Sequence, residues 1–302
     1  MTSVQARLTE ILPAAAAAVG SPLNGDVPWE LPAAEAYVVA LIDGMGEVLI
    51  REHPDETPFL SSLTGIPAIS EIPSTTATSL TSFGCALPPT QHGVVGYTSR
   101  IPGTDRLLNA LNWDKNLDPE EWQPLPTAFE RLARAGIAAS VVGPKDYESS
   151  GLTSVSQRGA AYLQADRFGE RLAQTVRASQ RGPSITYYYD SDLDWVGHRH
   201  GVDSAEWRAQ LRLIDTSLEQ LRAALPEHVK MLITADHGMV DTTRGRQLDV
   251  DSIPELRQGV DLIGGEARFR YLYCDPDLAP NVVRRWRSVV SDDDATILTF
   301  ED

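Results

Sequence analysis

Cysteine is nearly absent. Cys85 and Cys274 are the only two in 302 residues, too few for a disulfide framework and without the paired spacing of a cysteine metal site. Long apolar runs are missing as well, since none reaches the ~18 residues that a membrane-crossing helix needs. The stretch from Met1 to Gly20 carries an alanine run but is interrupted by Pro13, and it reads as an N-terminal helix rather than a signal peptide. Basic residues are scarce beside acidic ones, 26 against 42, leaving a formal net charge of −16. Such a chain repels extended nucleic acid and anionic membrane surfaces. A small anionic substrate stays compatible with it, because divalent cations held by carboxylates reverse the local field. The scarcity of cysteine fits a reducing, cytoplasmic setting, with secretion as the alternative, and the oligomeric state has no signature in the sequence.

What is present is ordinary for a globular protein, with 42% hydrophobic and 23% charged residues. The length suits one large α/β domain or two smaller ones. Strand patterns alternate with helix patterns. Residues 36–42 form an apolar run ending in Asp43-Gly44, residues 137–142 and 184–189 are further strands, and 229–234 runs into Asp236-His237-Gly238. Helices are predicted over 47–51, 75–83 with Gly84 closing it, 126–135, 166–179 and 204–225. This rhythm predicts a three-layer α/β/α sandwich around a mostly parallel sheet, whose ligands gather at the carboxyl ends of the strands. Beyond residue 245 the pattern changes to a strand over 267–274, a helix over 280–291 and a strand over 295–300. Residues 1–245 are therefore expected to form the core and 246–302 a small accessory or cap segment.

Carboxylates and imidazoles cluster at the predicted strand ends. Asp43 follows the first strand, Asp194 and His198 form a D-x-x-x-H pair after the third, and Asp236-His237 follows the last. Carboxylate oxygen and imidazole nitrogen together suit zinc and similar cations. Each piece alone has an ordinary explanation: Asp-Gly makes turns, D-x-x-x-H arises by chance, and a Ser/Thr-rich stretch caps helices. Their joint order carries the information.

That order is Asp43-Gly44, Pro73-Ser74-Thr75-Thr76, His92-Gly93, Asp194 through His198 to Gly201, and Asp236-His237-Gly238-Met239. It resembles the type I phosphodiesterase/nucleotide pyrophosphatase family of the alkaline phosphatase superfamily, over roughly residues 36–240. The resemblance implies an alkaline-phosphatase-like core with two divalent metal ions, zinc foremost. Asp43, Thr76, Asp236 and His237 would surround one ion, and Asp194 and His198 would belong to the other. It also implies a phosphothreonine intermediate on Thr76 during hydrolysis of a phosphodiester or nucleotide pyrophosphate, the substrate being a small phosphate ester or nucleotide. Thr76 is preferred to Thr75 on register, three residues after Pro73 and sixteen before His92, with Ser74 and Thr78 as weaker alternatives.

Two departures from the family pattern stand out. No histidine follows His237 to complete the second ion's ligands; His53 and His228 read as surface residues, His92 as part of a turn, and His200 as too near His198. The ending just after a predicted strand then suggests a chain cut before its last core strand. Tyr97 stands where relatives often carry a phosphate-contacting asparagine, leaving Asn112 as a substitute or as a buried structural amide. A sulfatase is disfavoured, because neither cysteine lies in a C/S-x-P-x-R context. A phosphomonoesterase or phosphonate hydrolase on the same scaffold stays open, as does a noncatalytic metal- or ligand-binding protein.

Overall fold

The apolar run Ala36–Ile42 has no polar face to offer water, and it lies at the heart of the molecule as strand β1. The protein is described by a computed structural model over residues 5–23, 29–242 and 247–299. β1 is joined by β2 (Ala138–Gly143), β3 (Ala161–Gln164), β4 (Ser184–Asp190) and β5 (Val229–Thr234) in one parallel sheet of order β3-β2-β4-β1-β5. The register sets Ala36 beside both Ser184 and Val229, and Ile42 beside Asp190. Three neighbouring strands, β4, β1 and β5, thus end together.

Alternate residues of β1 feed two cores. Tyr37, Val39 and Leu41 pack with Tyr187 and Tyr189 against helices α1 (Leu8–Ala18), α2 (Thr76–Cys85) and α3 (Ala128–Arg134). Ala36, Val38, Ala40 and Ile42 pack on the other face, where Trp207, Leu211, Ile214, Leu218 and Leu221 line a 20-residue helix, Ala205–Ala224. Each such aliphatic side chain contributes ~1.5–3 kcal/mol on burial. The expected α/β/α sandwich with a mostly parallel sheet is observed. No helix among the described residues is long and apolar enough to cross a membrane.

Among the described residues, one compact unit is drawn from the chain up to Gly96 and from Ala110 to Val240. A second takes Tyr97–Asn109 together with the chain from Asp241 onward. The accessory segment expected over 246–302 falls in this second unit, which also recruits a short hairpin, Thr98–Arg100 with Leu107–Asn109. The strand expected at 267–274 is present as Phe269–Tyr273, paired antiparallel with an unforeseen strand, Leu262–Glu266, whereas residues 295–299, expected as a strand, form none. The missed partner and the false strand both come from judging strands by apolar content alone, since pairing partners decide them. Phe300 lies outside the described residues. Also unforeseen in the first unit were edge strand β3, which has no fully buried residue, and a helix at Gly151–Gln157.

Helix α2 carries the candidate nucleophile, so its anchoring matters. Thr75 is its N-cap, its hydroxyl accepting from the Thr78 N–H. The sequence placed Gly84 at the helix end, but the helix continues to Cys85 and closes with left-handed Ala86 at φ 48°. Gly84 serves packing instead: a Cβ there would come within 1.9 Å of the Ser156 carbonyl oxygen. At the far end of α2 the Ser82 hydroxyl meets His92 Nε2 at 2.8 Å, while His92 Nδ1 accepts from the Val94 N–H at 3.1 Å. A main-chain N–H can only donate, so Nε2 carries the imidazole proton and gives it to Ser82. His92 is a neutral buried brace, and burial lowers its pKa to about 4.

Two outcomes follow from this anchoring. Gly84→Ala gains up to ~1 kcal/mol of helix propensity but forces a carbonyl aside. It should destabilise the protein by ~1–3 kcal/mol net in denaturant titration, and a midpoint at or above wild type would contradict the packing argument. For His92 the folded pKa lies below its unfolded value near 6.5, so the unfolded chain binds the proton first as pH falls. Stability should drop between pH ~6.5 and about 4, and His92→Gln should flatten that part of the profile; parallel profiles would contradict it.

Candidate metal and nucleophile site

Three adjacent strand ends build the site. Asp43 follows β1 directly, is 2% exposed, and is fixed by its N–H, which donates to the Asp190 carbonyl at 2.8 Å. Asp236 stands two residues beyond β5, fully buried, with Oδ1 accepting from the N–H groups of Gly44 at 3.0 Å and His237 at 2.9 Å. Asp194 comes from the first turn of the helix Asp192–His200, which β4 feeds. That helix is set by Asp190, whose Oδ1 accepts from the Asp192 N–H at 3.0 Å while its Oδ2 pairs with buried Arg171 at 3.0 Å.

Glycine permits the close meeting of these segments. Gly44 has φ +72°, and a Cβ there would press on the Asp194 carboxylate at 3.1 Å. Across the site a Cβ on Gly46 would lie 2.7 Å from the Gly238 Cα, so the Asp-Gly-Met-Gly and Asp-His-Gly turns touch backbone to backbone.

Thr76 opens helix α2 and is half-buried. Its Oγ1 lies 3.4 Å from Asp43 Oδ1 and 3.2 Å from His237 Nε2. The neighbouring Thr75 is occupied as the N-cap, so the two hydroxyls are directed to different tasks. His237 Nδ1 sits 2.9 Å from the Gly238 carbonyl oxygen. A carbonyl only accepts, so Nδ1 carries the proton and the Nε2 lone pair faces the site. That nitrogen is 3.4 Å from Asp43 Oδ1 and 3.4 Å from Asp236 Oδ2.

Ligand atoms of Asp43, Asp194 and His237 lie within 4.8 Å of one another. Asp194, which the sequence grouped with His198, therefore also reaches the Asp43–His237 pair. His198 is 74% exposed and connects to the group only through Asp194, Nε2 to Oδ2 at 3.5 Å. Among the described residues no other histidine joins the ligand group. His53, expected at the surface, is buried: it bonds to Leu49 and Asp203 and meets Trp207 edge-on at 5.0 Å. Its polar neighbours in sequence misled because the ring turns inward from an exposed stretch. Asn112 is exposed, not a buried amide, and Tyr97 belongs to the second unit, accepting from Asn109 there.

Electrostatics within the cluster are strained. Burial, and then the charges of Asp236 and Asp194, hold the Asp43 carboxyl well above the usual carboxylate range, while His237 pulls it back only in part. Burial likewise raises Asp236, to about 7. Buried oxygens Asp194 Oδ1 and Asp236 Oδ2 have no hydrogen-bond partner. Hard oxygens and one imidazole nitrogen, crowded and unsatisfied, are the donor set that a divalent cation satisfies.

The sequence reading missed the layer behind the carboxylates. Tyr189 donates from its hydroxyl to Asp43 Oδ2 at 2.5 Å, and Tyr187 lies two residues back on the same face of β4. The available signal was a pair of hydroxyl-bearing residues at the end of a central strand, where buried polar groups require partners.

A phosphopentomutase of Shewanella frigidimarina is 31% identical over 154 residues, which cover 50% of this chain and 36% of that enzyme. The chain therefore matches only about a third of the length of that relative. Murine ectonucleotide pyrophosphatase/phosphodiesterase 5 superposes with a TM-score of 0.68 at 16% identity, covering 84% of this chain and 70% of its own. An inactive threonine-to-alanine form of it, in complex with AMP, superposes at 0.66 and also 16% identity, covering 86% and 70%. At that identity the likeness establishes the fold. The family profile described as type I phosphodiesterase/nucleotide pyrophosphatase matches residues 37–298, and the chain belongs to that family.

Proposed function

We propose that this chain hydrolyses phosphodiester or nucleotide pyrophosphate bonds, with Thr76 as nucleophile and two divalent cations, zinc foremost, held by Asp43, Asp194, His198, Asp236 and His237. The observation that carries the reading is the Thr76 hydroxyl at the head of α2, within 3.4 Å of Asp43 and 3.2 Å of His237. The unsatisfied buried oxygens of Asp194 and Asp236 support a cation there. One ion would take Asp43, Asp236 and His237 beside Thr76, and the other Asp194 and His198. When bound, such ions neutralise phosphoryl oxygens and favour the ionised form of a hydroxyl.

The residues divide the work. Thr76 Oγ1 gives up its proton, which passes through solvent to the leaving oxygen, and forms a bond to phosphorus as the bond to that leaving oxygen breaks, giving phosphothreonine. Water then attacks that phosphorus and the Thr76 oxygen leaves, restoring the hydroxyl. Because Thr76 begins a ten-residue helix, the phosphoryl group it carries would sit at a helix N-terminus, where backbone N–H groups and the helix dipole favour an anion. His237, with its proton kept on Nδ1 by the Gly238 carbonyl, turns the Nε2 lone pair toward Thr76 Oγ1 at 3.2 Å, where it can accept from the hydroxyl but not donate to it.

A small nucleotide is the preferred substrate class, in keeping with AMP in the murine neighbour. Phosphoryl transfer on a phosphopentose is a second reading, favoured by the 31% identity to phosphopentomutase. Side-by-side assays of a phosphodiester, a nucleotide pyrophosphate and a phosphopentose with defined metals separate the two.

Thr76→Ala should lower turnover of a chromogenic phosphodiester by roughly 10⁴-fold or more while metal content stays near wild type. Thr75→Ala should cost about 1 kcal/mol of stability through the lost cap and little turnover, and a reversed pattern would make Thr75 the nucleophile. Zinc should raise the melting midpoint and a chelator lower it, free zinc at 100 times its dissociation constant adding ~2.7 kcal/mol. Calorimetric titration of metal-free protein should resolve one tight and one looser ion, since Asp194 and His198 supply only two ligands. An unchanged midpoint would count against a metal site, and two equally tight ions against the unequal ligand sets.

A further inference from the structure

β4 carries three consecutive tyrosines just before its last residue, Asp190, and strand alternation sends Tyr187 and Tyr189 to one face and Tyr188 to the other. The first two look equivalent by sequence: both are buried, both on the face that leads to the carboxylates, with ring centroids 6.1 Å apart. Their hydroxyls differ. Tyr189 donates to Asp43 Oδ2 at 2.5 Å, whereas the buried Tyr187 hydroxyl has no hydrogen-bond partner.

The bond decides how Asp43 faces the site. Its main chain is pinned to Asp190, and Tyr189 claims Oδ2, so only Oδ1 points toward Thr76 at 3.4 Å and His237 Nε2 at 3.4 Å. Without the phenol donor the carboxylate would be free to rotate about its terminal torsion, which is soft and roughly two-fold. The Tyr189 ring is itself held between Tyr187 and Tyr147, each 6.1 Å away between centroids, so the hydroxyl is aimed before any ligand arrives. We propose that Tyr189 is a positioning residue that holds Asp43 as a one-oxygen cation ligand, and that Tyr187 has no such role. This rests on the reading of Asp43 as a metal ligand. Partners of this kind behind a ligating group typically change metal affinity or activity by 10- to 100-fold when removed.

The pair of tyrosines supplies its own control. Zinc dissociation constants are measured by competition with a chromogenic chelator for wild type, Tyr189→Phe, Tyr187→Phe, Asp43→Asn and the double variant Asp43→Asn/Tyr189→Phe. Tyr189→Phe should weaken the tightest zinc by about 10- to 100-fold, and the turnover it loses at limiting zinc should return as zinc is raised. Tyr187→Phe should bind zinc like wild type. In the Asp43→Asn background Tyr189→Phe should cost less than in wild type, because the neutral amide oxygen is a weaker acceptor and cation ligand than the carboxylate. Equal affinities for wild type and Tyr189→Phe, equal losses from both tyrosines, or an undiminished loss in the Asp43→Asn background would each overturn the inference. So would a Tyr189→Phe chain that fails to fold without zinc, which would make the phenol a structural element. A wild-type chain that takes up no zinc would overturn the metal reading itself, and this inference with it.

Discussion

Carboxylates that cannot escape one another shape this molecule. Asp43 and Asp236 are buried and fixed by backbone hydrogen bonds at the carboxyl end of the sheet, Asp194 joins them from the first turn of its helix with little exposure, and water screens them poorly. Placing such charges together in a low-dielectric site is unfavourable unless protons or cations neutralise them. The raised Asp43 and Asp236 values express that unfavourable balance, and His237 relieves only part of it. The positive helix end at Thr76 and the demand for a cation meet at one point, which makes the same place suitable for a phosphate.

Sheet topology brings the carboxylates together. In the order β3-β2-β4-β1-β5 the three strands that lead into Asp43, Asp194 and Asp236 are adjacent, so short turns deliver all three without long loops. The turns are tight enough that Gly44 and Gly46 have little room for side chains. Behind them the two faces of β1 lock the sheet between helical layers, and α2 is held at one end by its Thr75 cap and at the other by neutral His92. Fixing a site on rigid strand and helix ends limits how far its side chains can drift, which catalysis at phosphorus requires.

Much of this was legible in the sequence because it is written in short-range pattern. Buried strands announce themselves as apolar runs, and Asp-Gly, Asp-His-Gly and Pro-Ser-Thr-Thr mark where those runs turn. The choice of Thr76 over Thr75 rested on register alone, and the helix start gives it a physical basis: one threonine is needed as cap, and the next faces the cluster. What the sequence hid depends on contacts between distant segments. Gly84 looked like a helix terminator because nothing local reveals the approach of Ser156, and His53 looked exposed because nothing local reveals Trp207. The Tyr189–Asp43 bond spans 146 positions, and the union of Tyr97–Asn109 with the C-terminal segment is of the same kind.

The central claim is that phosphorus passes through the Thr76 oxygen. Zinc-loaded protein mixed with a phosphodiester substrate, quenched in acid within a turnover and digested for mass spectrometry, reads that oxygen directly. The account predicts phosphate on Thr76 and nowhere else in the segment from Ser74 to Thr78. Phosphate on Thr75, Ser74 or Thr78, or product formed by direct attack of labelled water with no phosphoprotein at any time, would contradict it.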